Sequence, residues 1–143
     1  MIEERVVLDR LTYIDAALAR LQSRRGMTLD EFLADPDQRD AAFYQLQTCI
    51  EAVMDIANHL VAALGLGRPR DRKDLFTLLT QADILERALA ARLAAAASLR
   101  NVLVHSYIDV APLLVHQAIQ NDLGDIEAFS RSVVLFLERK EKR

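Results

Sequence analysis

The chain has 143 residues, a net charge of −3 and 52% apolar residues. That is the size of one domain (1–143) with one core, and it lacks the positive balance of a protein that coats nucleic acid through bulk electrostatics. Apolar runs fall far short of the ~20 residues of a membrane span, and the opening Met1-Ile2-Glu3-Glu4-Arg5 has neither the basic nor the apolar region of a signal peptide, so the expected location is the cytoplasm. The single cysteine, Cys49, closes no internal disulfide and sits in an apolar helical pattern, as a buried small hydrophobe would.

The pattern is helical from end to end. Val7, Leu11, Ile14, Leu18 and Leu21 recur at alternating spacings of four and three, which predicts a first helix from about Glu3 to Arg25, ended by Gly26. Thr28-Leu29-Asp30-Glu31 has the form of a capping box and opens a short helix to about Ala34. Asp35-Pro36 supplies an N-cap and a first-turn proline for a long helix to about Leu64. Phe43, Leu46, Ile50, Val53, Ala57, Leu60 and Leu64 give it an unbroken stripe, as befits the central support. Its later turns carry Asp55, Asn58 and His59, with Asp55 and His59 four apart on one face. Hydrogen-bonded boundary residues fit that pair, and so do groups holding a site's polar residues in place.

Gly65 or Gly67 suits the left-handed residue after that helix. The loop Gly65-Leu66-Gly67-Arg68-Pro69-Arg70 follows no strand, so it is no nucleotide-binding glycine loop. Asp71 caps a third main helix with Leu75, Leu78 and Leu79, ending near Gln81, and Asp83 is expected to start a fourth. Leu85, Leu89, Ala96, Leu99 and Leu103 form that helix's stripe, and Ala94-Ala95-Ala96-Ala97 combines strong helix formers with side chains small enough for close approach of another helix. Past Ile108-Asp109-Val110-Ala111-Pro112, one last helix should run from about Pro112 to Glu141, with Gly124 weakening or bending it. His59, His105 and His116 form no metal-ligand spacing, and no cofactor is implied.

The chemistry concentrates in Arg100-Asn101-Val102-Leu103-Val104-His105-Ser106-Tyr107. A guanidinium offers a planar fork of donors to a phosphate, and an imidazole can move a proton near neutral pH. Together they can cleave RNA without a metal: the histidine takes the 2′-hydroxyl proton or protonates the leaving oxygen, while the arginine stabilises charge on the phosphoryl oxygens. Such residues also cap and hydrogen-bond helix ends. Spacing adds a constraint, because the five-residue step from Arg100 to His105 rotates by about 140° along a helix. Using both on one atom requires the helix to end or kink between them, or a second copy of the chain to complete the site.

Arg-x4-His-x-Tyr, with Asn101 directly after the arginine, resembles the signature of the HEPN ribonuclease superfamily, and specifically the HepT toxins of toxin–antitoxin pairs. Arg10-Leu11-Thr12-Tyr13-Ile14, Glu31-Phe32-Leu33-Ala34-Asp35-Pro36, Ile50 to Leu60 and Gly65-Leu66-Gly67-Arg68-Pro69 extend the resemblance over nearly the whole chain. Between Ile84 and Leu99 the chain departs from it, being alanine-rich. The resemblance implies an all-α, up-and-down bundle of four to five main helices plus a short one, dimerising so that two motifs face each other across a cleft. It implies Arg100 and His105 as the catalytic pair of an RNA-cleaving toxin directed at tRNA or mRNA. Asn101 would orient the phosphate or the histidine, and Asp55 and His59 would support the site. Tyr107 would be where an MntA-type nucleotidyltransferase antitoxin attaches AMP, silencing the toxin by placing charge and bulk where the substrate phosphate sits. The competing reading is a non-catalytic helical module that docks a nucleotidyltransferase and presents RNA or nucleotide to it.

Overall fold

Helix ends are written in local side-chain chemistry along most of this chain. The computed structural model describes residues 1–105 and 111–142, Val104 by its backbone alone. The first helix, α1 (Glu4–Gln22), buries Val7, Leu11, Ile14, Leu18 and Leu21. Then α2 (Leu29–Ala34) opens on a full capping box: Thr28 Oγ1 accepts the Glu31 N–H at 3.2 Å, and the Glu31 carboxylate accepts the Thr28 N–H at 3.2 Å. At the start of α3 (Pro36–Ala63), Asp35 accepts the Gln38 N–H at 3.3 Å and Pro36 occupies the first turn. It closes on Gly65 at φ 63°, with the Gly65 N–H on Ala62 O and the Leu66 N–H on Val61 O, the paired bonds of a Schellman end. Asp71 caps α4 (Arg72–Gln81) through the Asp74 N–H at 2.8 Å.

Two expected boundaries move. Asp83 does not start the motif helix, because it stands at φ +59° and terminates α4: its N–H bonds to Thr80 O, and the Ile84 N–H bonds to Leu79 O. This is the same Schellman geometry with aspartate in place of glycine, which a short polar side chain tolerates. The motif helix, α5 (Arg87–His105), begins only after that turn. The single last helix is in fact two, α6 (Ala111–Asn121) and α7 (Leu123–Glu141). The break falls at Asp122, whose backbone (φ −110°, ψ −11°) leaves the helical track just before the expected weak point, Gly124. Turning there buries Leu123 completely, which a straight continuation would not guarantee. The described residues thus form seven helices and no strand: an all-α fold, with one more main helix than expected.

α3 is the hub, packing against α1, α2, α4, α5 and α6, while α7 lies against α1, α5 and α6. One continuous core joins all seven helices. Its largest fully buried side chains include Phe32, Phe76 and Phe129, and the last two meet edge to face at 6.5 Å between ring centroids. Polar ties fix the periphery. Arg24 donates to Gln38, Gln45 and Arg20 O, so this one arginine staples the end of α1 to α3. His116 Nε2 donates to Met27 O at 2.9 Å while its ring leans on Phe32, a structural use of that histidine. No helix among the described residues is long and apolar enough to cross a membrane. Phe129→Ala removes the anchor of α7 and its partner ring, so urea unfolding should show a loss of about 3–5 kcal/mol.

Candidate functional site

The site is built on the last two turns of α5, and the helix does not break there: α5 stays helical from Arg87 through His105. Leu103 is fully buried and pins the rotation of these turns. Measured from Leu103, Arg100 lies about 60° round the helix and His105 about 160° round it on the other side. The expected consequences are observed. Arg100 is at the boundary, with a side chain 31% exposed, and reaches across to α3, whereas His105 faces solvent and Asn101 is half-buried. Ser106 and Tyr107 lie outside the described residues.

Arg100 meets a partner that reading the sequence missed. Its Nε and Nη2 both donate to Oε1 of Glu51 on α3, at 3.0 and 2.5 Å. The two residues proposed as supports stand one and two turns further along the same face of α3 and turn elsewhere. Asp55 pairs with Arg10 of α1 at 3.5 Å, an exposed contact, and His59 Nε2 accepts the backbone N–H of Glu3 at 3.1 Å. The signal for Glu51 was present: Glu51, Asp55 and His59 are spaced four apart, one polar seam at i, i+4, i+8. What sequence could not say is which member lies opposite Arg100 once α3 and α5 pack.

The outward face of α5 is the second feature. Ala88, Ala91, Ala95, Ser98, Val102 and His105 are all exposed and recur at spacings of three and four, so a row of small side chains leads directly to the imidazole. Such a surface lets a second helix approach closely. Among the described residues no cluster of three or more His, Cys, Asp and Glu could hold a metal ion. Cys49, on α3 two residues before Glu51, is fully buried, and burial, with a smaller contribution from Asp15, pushes its thiol up to about 12. It is a packing residue and no nucleophile.

With this geometry in place, comparison with known proteins is informative. The ribonuclease HepT-like family model matches residues 14–133. The chain is 32% identical over 124 residues to an mRNA nuclease HepT of Shewanella oneidensis, covering 87% of this chain and 92% of that one. It is 30% identical over 136 residues to a tRNA nuclease HepT of Aphanizomenon flos-aquae, covering 95% and 92%. Among solved structures, a toxin–antitoxin complex with AMP-PNP superposes with a TM-score of 0.82 at 30% identity, covering 92% of this chain and 98% of that one. A tri-AMPylated Shewanella oneidensis HEPN toxin bound to its MNT antitoxin gives 0.80 at 30% identity, covering 91% and 97%.

Because a thiolate is what reacts with aromatic disulfides, native protein at pH 8 should leave Cys49 unmodified by Ellman's reagent, with full reaction on unfolding. The sign extends to alkali. A thiol whose folded pKa is raised from 9.0 to about 12 contributes stability below pH 9, and this is lost as pH rises across that interval.

Proposed function

The chain belongs to the HepT-like ribonuclease family, and we propose that it is the toxin of a toxin–antitoxin pair, a metal-independent endoribonuclease that acts on tRNA or mRNA as a homodimer. Arg100 and His105 are the reacting pair. The 2′-oxygen attacks the adjacent phosphorus and its proton passes to a base; the 5′-oxygen leaves and takes a proton from an acid. His105 serves one of these steps and water the other, while the Arg100 guanidinium meets the charge gathering on the non-bridging oxygens. Asn101, four residues before His105 and so on its face of the helix, orients the phosphate or the imidazole.

The observation that carries the dimer is the continuity of α5 through His105. With no end or kink between the two residues, a single copy aims its guanidinium toward α3 and its imidazole to solvent. In the proposed dimer a second copy supplies its His105 to the first copy's Arg100; the exposed row Ala88, Ala91, Ala95, Ser98 and Val102 lies on the His105 face of α5. Silencing is assigned to a nucleotidyltransferase antitoxin of the MntA type that attaches AMP to Tyr107. The HEPN toxin structure described as tri-AMPylated in complex with its MNT antitoxin supports that assignment. The cytoplasm, where RNA targets and ATP are found, is the compartment this role requires.

In cells lacking the antitoxin, Arg100→Ala and His105→Ala should each abolish growth arrest and lower RNA cleavage by at least ~100-fold. Unchanged cleavage in both would reject Arg100 and His105 as the reacting pair, whereas a wild-type chain that never cuts RNA would favour the docking module. Tyr107→Phe should remain toxic when the antitoxin is co-expressed and should acquire no AMP-sized mass. The shared site has its own test: Arg100→Ala and His105→Ala chains, inactive alone, are mixed after partial unfolding and refolding. Random pairing makes half the dimers mixed, each with one intact site of two, so activity should return to about a quarter of wild type. No recovery would assign both residues to one chain.

A further inference from the structure

We propose that Glu51 is a positioning residue for Arg100, holding one edge of the guanidinium so that the opposite edge is presented to the phosphate; this rests on the nuclease reading above. A guanidinium has two usable edges, one formed by Nε–H with Nη2–H and one by the outer N–H groups of Nη1 and Nη2. Glu51 engages the first through a single oxygen, with Nε at 3.0 Å and Nη2 at 2.5 Å. The second edge is not used by this pair, and its two parallel donors match two oxygens of a phosphate.

The anchor is rigid. Glu51 sits mid-way along α3, the longest helix, and its neighbours Ile50 and Ala52 are 3% and 4% exposed, so its backbone cannot shift without moving the core. Arginine otherwise swings on a long flexible stem, and a fixed carboxylate at its root converts that sweep into one direction. Neither member is deeply buried: the side chains are 31% and 40% exposed. A pair so placed adds little to stability, which leaves aim as its effect. A carboxylate beside the guanidinium also weakens its positive field, and the two effects have opposite signs. If aim dominates, deleting Glu51 slows cleavage; if field dominates, deletion speeds it.

The test measures steady-state cleavage of a fluorescent single-stranded oligoribonucleotide by the full-length chain. Glu51→Ala is expected to lower kcat by ~30-fold, with KM changed by less than ~threefold and the melting temperature held. Glu51→Gln keeps an acceptor oxygen at the same reach and should retain most of kcat. On an Arg100→Lys background, which has no fork to aim, Glu51→Ala should cause no further loss. Unchanged or raised kcat in Glu51→Ala overturns the proposal, as does equal loss in the Gln and Ala variants or an undiminished loss on the lysine background. Arg100→Ala separates the two levels. Full activity there rejects Arg100 as a reacting residue and with it the proposed site, whereas its loss beside a fully active Glu51→Ala rejects only the role of Glu51.

Discussion

A buried leucine sets the terms for everything at the end of α5. Leu103 is fully enclosed by the core, and because a helix advances by a fixed angle per residue, that one contact dictates where Arg100 and His105 point. Neither can be redirected without turning Leu103 out of the core, a loss of several kilocalories. The guanidinium therefore lies against α3 and the imidazole faces outward. Within one chain the two groups diverge, and the proposed dimer is what would bring them together. Side chains held this way by packing are placed more firmly than those on loops.

The polar seam on α3 explains how one helix serves both architecture and site. Its successive turns present Glu51 to Arg100, Asp55 to Arg10 and His59 to the backbone of Glu3. Two of the three bonds hold the first turns of α1 onto α3, where α1 begins without a side-chain cap. The third reaches α5. The α3 core stripe behind them runs unbroken through Leu46, Ile50, Val53, Ala57 and Leu60, so these polar contacts rest on a surface that cannot slide.

Most helix starts were legible because their chemistry is local. Thr28 with Glu31, Asp35 with Pro36, Asp71 and the glycine after α3 each act within a few residues, and each appears where the sequence places it. The two misread boundaries have a common cause, an aspartate serving in a non-capping conformation. Asp83 takes the left-handed position usually given to glycine, and Asp122 marks a turn that no proline or glycine at that position announces. Both are stabilised by burying the residues that follow, Ile84 and Leu123, which is tertiary information. Glu51 was missed for a similar reason. The spacing of the seam identifies a face of α3 but leaves its register against α5 open, and register decides which of three polar residues meets the arginine.

The pairing of Arg100 with a carboxylate bears on what kind of binding the site can offer. A chain of net charge −3, with the arginine of its proposed site paired to Glu51, has little long-range attraction for RNA. Ground-state affinity is the quantity that suffers. The transition state is different, because the pentavalent phosphorus carries more negative charge on its non-bridging oxygens than the diester does, and hydrogen bonds from a prealigned donor edge strengthen as that charge grows. A nearby carboxylate weakens attraction to both states, but fixed donors reward the second more than the first. In the proposed mechanism, an arginine held by its Nε edge is suited to raising kcat at the expense of tight substrate binding, the balance expected where turnover of RNA matters more than its capture.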